Sequence, residues 1–348
     1  MEKVSTIGLD IAKSVFQVEG TNEAGEVTVR RQLRRPHLLK FFAKLPPCLV
    51  GMEACASAHH WARELTALGH EVRLMPPRRV KAYVKWGAKN DQADAAACNE
   101  AVTRPSMQFV PIKSIDQQAV LMLHRARGLL DKQSTQLSNA IRGHLAEFGI
   151  VAAKGNSGFA SLLAKIGKDS DPQIPPMIRP IVTVLAEQWR STREQMDKLE
   201  RQIVDWHKRN SDSQRLATIP QFGPITSSAV VASMGDARRF KSGRAYGASV
   251  GLVPRQDSTG GKPHLGPITK AGDHYIRRLL VNAAAGMVRR VRTNPDLMPW
   301  FAKLLARKTA KEAIVALANK LARIAWAILA KGGIYRASMT TTVSVEMA

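Results

Sequence analysis

The sequence predicts an α/β domain, then a long helical section, then a mainly helical and strongly basic domain. Three observations carry this reading. Residues 4–108 alternate short apolar runs with helical patterns, the signature of a sheet covered by helices. The next hundred or so residues hold apolar side chains at helical spacing through two long stretches. The last third gathers most of the net positive charge. The boundaries read as 1–108, 109–212 and 213–348.

In order, "VSTIGLD", "SVFQVEG" and "EVTVRRQL" are strands, the last two parted by the turn-like "TNEAGE". Three successive strands of this kind form an antiparallel meander. "PHLLKFFAKL" has helical periodicity with Pro36 near its start, and "CLVGMEA" is a short apolar run ending in an acid, as a buried strand would be. "SAHHWARELTALGH" is a helix stopped by Gly69, "EVRLMPP" a strand, "RRVKAYVKW" a basic amphipathic helix and "DQADAAACNEAVTR" a further helix. "IDQQAVLMLHRARGLLDKQSTQLSNAIRGHLAEFG" and "PIVTVLAEQWRSTREQMDKLERQIVDWHKR" predict an antiparallel helical pair or coiled coil, suited to a spacer or dimerisation surface. "AKGNSGFASLLAKIGKDSDPQIPP", rich in Gly, Ser and Pro, reads as their connection. "LATIPQFGPITSSAVVASMGDARRF" has the cadence of a helix-hairpin-helix, which presents backbone N–H groups to phosphate; a hairpin without DNA contact has the same pattern.

The chain has 52 Lys plus Arg against 28 Asp plus Glu, a net charge of +24. Between Ala237 and Arg336 the count is 20 against 4, so two-thirds of the excess lies in under a third of the chain. Such clustering points to a polyanion, most simply nucleic acid. No stretch approaches the roughly 18 uninterrupted apolar residues of a membrane span, so no membrane partner is expected. "MEKVSTIGLDIAK" lacks the apolar run of a secretory leader. Three cysteines without a CxxC pair argue against a disulfide framework or zinc site and fit a reducing cytoplasm.

Within this basic chain, Asp91 and Asp94 stand three residues apart at a helix start, and carboxylates at that spacing share a face. An N-terminal helix turn alone suits acids. Asp10 and Glu53, however, each end a strand. In a ribonuclease H-like fold, strand ends and a following helix converge at one sheet edge, where four carboxylates suit a hard divalent cation, Mg²⁺ or Mn²⁺. Lys13 is placed either to contact phosphate or as a plain surface lysine. His59 and His60 point about 100° apart on a helix and cannot easily share an ion; they read as helix or substrate-facing residues. Cys55 and Cys98 read as packing residues.

In "YGASVGLVPRQDSTGGKPHLGPITKAGDHYIRRLLVNAA", Ser258 and Thr259 precede Gly260 and Gly261, flanked by Arg255, Lys262, His264 and Lys270, with Arg277 and Arg278 beyond. A hydroxyl on a Gly-rich turn can approach phosphate closely, and nearby cations would stabilise developing charge. Attack on phosphorus needs an activated oxygen, and no Ser/His/Asp triad is readable. A phosphate-binding loop without catalysis is the other reading.

The segments "IGLDIAKSVFQV", "GMEACASAHHWA", "KNDQADAAA", "IPQFGPITSSAVVASMGD", "GLVPRQDSTGGKPHLGPITKAGDHYIRRLLVNAA" and "AKEAIVALANKLARIAWAIL" resemble the DEDD transposases of the insertion sequence 110 family, in the branch named after insertion sequence 1111. The resemblance implies an N-terminal RuvC-like (ribonuclease H-like) domain, a coiled coil and a C-terminal transposase domain. It places the metal tetrad on Asp10, Glu53, Asp91 and Asp94 and the nucleophile on Ser258, with Thr259, more hindered by its β-branch, as the fallback. It further implies DNA cutting and rejoining through a phosphoserine link, aided by the divalent ion. The implied partners are donor and target DNA, a structured guide (bridge) RNA, and a second copy in a homodimer that assembles into a tetramer. The acidic and serine sites meet across protomers in such an assembly. The implied location is the bacterial cytoplasm, at the nucleoid. A metal-dependent junction nuclease, with water as nucleophile and Ser258 gripping phosphate, is the competing reading.

Overall fold

The structure, a computed structural model, describes residues 4–84, 90–166 and 174–336. The chain divides into two compact units, Met1–Ser114 and Ile115–Ala348.

The first unit is built on a five-stranded sheet. Its elements are β1 (Thr6–Ile11), β2 (Val15–Thr21), β3 (Val27–Arg34), α1 (Leu38–Phe42), β4 (Leu49–Glu53), α2 (Ala58–Ala67), β5 (Glu71–Met75), α3 (Pro77–Val80) and α4 (Asp91–Val102). The strand order is β3-β2-β1-β4-β5, with the first three antiparallel, as the meander reading requires, and β1, β4 and β5 parallel. Alternation along the strands sorts the two faces. Ile7, Leu9, Val50 and Met52 pack with Leu38, Phe42, Trp61 and Leu65 on one side. The other side carries Gly8 and Gly51, and α4 lies against them. A Cβ on Gly8 would overlap the Ala95 carbonyl, and one on Gly51 would stand 2.8 Å from the Cys98 oxygen. Only glycine allows that approach.

"RRVKAYVKW" departs from the basic amphipathic helix expected of it. It forms the short α3 and one 3₁₀ turn, Lys81–Tyr83, after which Val84 is extended; Lys85 and Trp86 lie outside the described residues.

The second unit begins with α5 (Ile115–Ala146), α6 (Gly155–Ile166) and α7 (Arg179–Arg209). α5 and α7 run antiparallel: Asp116 meets Trp206, Arg127 pairs with Glu200 at 2.7 Å, and Ile141 and Leu145 pack in one cluster with Val182 and Ala186. α6 lies inside the stretch expected to be a plain connection. Phe159, Leu162, Leu163 and Ile166 are buried in the same cluster, a spacing of one helical face within a Gly/Ser-rich setting.

There follow α8 (Ser211–Ala217), α9 (Pro224–Met234), α10 (Gly243–Ser249), β6 (Pro254–Gln256), β7 (Leu265–Ile268), α11 (His274–Thr293), α12 (Pro299–Arg307) and α13 (Ala310–Lys331). α13 is long and apolar enough to cross a membrane by length and composition. Its Ala313, Leu317, Ala318, Leu321, Ala322, Ala325 and Ile328 are instead buried in the unit's main core, where the helix packs on α10 and α11. A capping box between Thr309 and Glu312 fixes its start.

Candidate functional site

The acidic residues are assembled by the sheet and the glycine windows. β1 and β4 pair in parallel as Gly8↔Gly51 and Leu9↔Met52, so Asp10 and Glu53 follow side by side at the strands' C-terminal ends, on the face that bears α4. α4 starts above that edge. Asn90 caps it, its Oδ1 accepting from Ala93 N at 2.7 Å, and Asp91 and Asp94 occupy its first turn. Asn90 before an acid-rich turn is a cap signal legible in the sequence.

The electrostatics follow from this proximity. Burial, then the charges of Asp94 and Asp91, push the Asp10 carboxyl up to about 6. Burial, then Asp94 and Asp10, raise Glu53. Asp94 thus acts on both Asp10 and Glu53, and Asp91 on Asp10; acids so placed suit a positive charge among them, and an all-oxygen donor set fits a hard divalent cation. Among the described residues, no three His, Cys, Asp or Glu side chains stand close enough together to hold a metal ion. Beneath the acids lies Cys98, whose thiol is pushed up by burial and then by Glu53 and Asp10, in keeping with a packing role.

The neighbours of the acids sort as follows. Lys13 is exposed in the β1–β2 turn, its carbonyl accepting from Arg35 at 3.1 Å. His59 is engaged with Lys113, accepting from its backbone N–H at 3.2 Å, and His60 stands 3.7 Å from Glu64 on its own helix.

The serine stretch is a β-hairpin where a loop was expected. β6 and β7 pair as Gln256↔Leu265, Asp257 N donates to the His264 carbonyl, and Thr259 bridges Lys262. Gly260 and Gly261, at φ +56° and +74°, make the two-residue turn, closed by Lys262 N to the Thr259 carbonyl at 3.0 Å. Two successive positive φ angles mark a type I′ turn, which matches the strand twist.

The hairpin's pleat separates the two hydroxyl residues. Ser258 shares a face with Gln256, whose Nε2 donates to its Oγ at 2.9 Å. Thr259 falls on the other face with Asp257 and the cross-strand partners Lys262 and His264. The cations expected around Ser258 thus lie nearer Thr259 in this arrangement. Arg255, Ser258, Lys262, His264, Lys270 and Arg278 are exposed. Arg278 lies over the Tyr275 ring, and Arg277 donates to the Val250 and Ala271 carbonyls, holding the base of the hairpin.

Comparison with known proteins gives this geometry a context. Residues 7–150 match the DEDD transposase group of the IS110 family, described as "Transposase", and residues 213–299 match the family described as "Transposase IS116/IS110/IS902 family". A Pseudomonas aeruginosa protein named "Probable family 20 transposase" is 47% identical over 96% of this chain and 99% of its own length. The transposase for insertion sequence element IS1328 of Yersinia enterocolitica is 39% identical over 96% of this chain and 99% of its own. The transposase for insertion sequence element IS1111A of Coxiella burnetii is 38% identical over 97% and 92%. Membership of a DEDD group implies dependence on a divalent metal. The chain belongs to the IS116/IS110/IS902 transposase family and is a transposase, an enzyme that cuts and rejoins DNA.

Proposed function

We propose that this transposase is an RNA-guided DNA recombinase of the insertion sequence 1111 branch, with Asp10, Glu53, Asp91 and Asp94 as its metal-holding acids and Ser258 as its nucleophile. The observation that carries the reading is the gathering of four carboxylates at one sheet edge, where Asp10 is held up to about 6 by burial and by the acids of α4. Held there, Mg²⁺ or Mn²⁺ would supply Lewis-acid stabilisation of phosphate charge. The chain's own residues do the rest. Gln256 donates to the Ser258 Oγ and so orients the hydroxyl proton away from itself. The Oγ–P bond forms as the phosphorus–oxygen bond to the departing strand breaks; the serine proton leaves and the departing oxygen takes one up. Reversal on a new strand end reseals DNA without an external energy source.

Exposed Arg255, Lys262, His264, Lys270 and Arg278, together with the α8–α9 hairpin, suit phosphate contacts on donor and target DNA. The large positive excess of the second unit also suits a structured guide RNA, and the long α5–α7 pair suits dimerisation on the way to a tetramer. Action on chromosomal DNA places the protein in the bacterial cytoplasm.

The junction-nuclease reading draws on one observation: Ser258 has no basic side chain bonded to it among the described residues, only Gln256. The two readings separate in a strand-exchange assay with copurified RNA, Mg²⁺ and labelled donor and target. Recombination predicts joined products from the wild type, none from Ser258→Ala, and none from Asp10→Ala or Asp94→Ala, with DNA still bound by all three. Cleavage to free ends by Ser258→Ala at the wild-type rate would favour the nuclease, and wild-type recombination by both aspartate variants would remove the acids from the centre.

A further inference from the structure

The row of side chains that begins with the acids does not end with them. Across the α4-bearing face, the strand registers place Glu53 of β4, Asp10 of β1, Gln17 of β2 and Gln32 of β3 in one line: Asp10 pairs with Gln17, and Gln17 with Gln32. The next row back on the same face ends in Glu19 and Arg30, joined by a 3.0 Å ion pair in which Glu19 is buried and Arg30 mostly exposed. Between β2–β3 and the start of α4 runs an open cleft of about 420 Å³, lined by Gln17, Arg30, Gln32, Asn90, Asp91 and Gln92 among others.

The chemistry of this lining is selective. The side-chain amides of Gln17, Gln32 and Gln92 bond to no protein group among the described residues, so their N–H groups are open to a ligand in the cleft. A strand of nucleic acid approaching four carboxylates has to be held nearby. Free Lys or Arg side chains at that distance would pair with the carboxylates and compete for the metal's ligands. Neutral amides donate N–H groups to phosphate and sugar oxygens without doing so. Arg30 is compatible with the acids because Glu19 already occupies part of its charge, and Arg31, the other arginine at the cleft, alternates to the opposite sheet face, where its guanidinium lies 6.0 Å from the Phe41 ring. Two strand spacings, about 10 Å, separate Asp10 from Gln32, so the amides reach a neighbouring nucleotide rather than the one at the acids.

We propose that Gln17, Gln32 and Arg30 form a subsite that grips the sugar–phosphate backbone of a single DNA strand beside the acidic centre. The proposal rests on the acids being the cutting centre. It predicts a binding effect separable from theirs.

The test uses the full-length protein with its copurified RNA, a labelled DNA substrate, and three variants: Gln17→Ala/Gln32→Ala, Gln17→Glu/Gln32→Glu and Asp10→Ala. The alanine pair should raise KM about tenfold, the equivalent of one or two lost hydrogen bonds, with kcat within about twofold of wild type. The glutamate pair, of nearly identical shape, should raise KM further by repelling phosphate. Mn²⁺ affinity, read by electron paramagnetic resonance without DNA, should stay unchanged in the alanine pair, which also shows that its acidic edge is folded. Unchanged KM in both pairs, or a fall in kcat at constant KM, overturns the subsite. So does a single-stranded RNA of the same sequence that competes more than about tenfold better than the DNA in the wild type and loses that advantage in the alanine pair, since the cleft would then hold RNA. Wild-type kcat in Asp10→Ala would instead fault the cutting centre, a different failure with a different readout.

Discussion

Asp10 shows how one residue registers its surroundings. Its carboxyl holds a proton up to about pH 6, where an unperturbed aspartate releases it near 3.8. The native state therefore binds that proton more tightly than the unfolded chain does. Its stabilising effect is complete below about pH 3.8 and is lost as pH rises through about 6. Metal-free protein should thus become more resistant to urea at the first unit as pH falls from about 7 to about 5, and Asp10→Asn should flatten that gain. At pH near 7, Mg²⁺ should restore the resistance by neutralising the acids, and near pH 5 it should add little. A urea series with tryptophan fluorescence, with and without a chelator, checks this; a first unit indifferent to both pH and Mg²⁺ would contradict it. At the same scale the sequence was partly silent. Asp10, Glu53, Asp91 and Asp94 are visible because acids at element ends stand out in a basic chain. Gln17 and Gln32 are not, because only the strand register puts residues 15 positions apart in line with Asp10.

At the scale of elements, α4 is the part on which the acidic edge depends, and its seat is made of glycine. Gly8→Ala and Gly51→Ala should each push the helix off the sheet, costing on the order of 1–3 kcal/mol and disabling cleavage even though no acid is altered. Asn90→Ala should cost about 1 kcal/mol through the lost cap and reduce activity less. Chemical denaturation paired with strand cleavage checks both, and full activity in Gly8→Ala would show that α4 need not sit so close. Strands and long helices were legible because their periodicities run for several residues; β1, β2, β3, α5 and α7 fall where alternation and helical spacing put them. The hairpin β6–β7 was not, since its strands are three and four residues long and carry Pro254 and Pro267. α6 was hidden by the glycine and serine around it, although Phe159, Leu162, Leu163 and Ile166 keep helical spacing. "RRVKAYVKW" has the spacing of a helix but yields only short turns, because tertiary context overrides a short local pattern.

Over the whole molecule, the two units should respond to acid in opposite directions. His124, buried between Ser228 and Tyr275 with 3.0 Å contacts to each, is lowered to about 4 by burial and then by Arg127. Its contribution is complete above about pH 6.5 and is lost as pH falls through about 4, so the second unit should weaken on acidification while the metal-free first unit strengthens. His124→Gln should blunt the second trend alone. The basic surface of the second unit makes a further prediction: DNA affinity should fall steeply with salt, and Lys262→Ala or Arg278→Ala should lower the slope by about one each without changing target choice. A flat salt response, or an altered target in either variant, would contradict phosphate contact.

In the proposed reaction a serine of the β6–β7 hairpin carries the cut strand. The most direct measurement is denaturing electrophoresis of a stalled strand-exchange reaction with labelled DNA, followed by peptide mapping of the shifted species. A covalent protein–DNA adduct is expected on the peptide containing Ser258, absent from Ser258→Ala and from Asp10→Ala; an adduct on Thr259 would move the nucleophile by one residue and onto the hairpin face it shares with Lys262 and His264. Efficient cutting to free ends, with no adduct in the wild type at any stage, would contradict it.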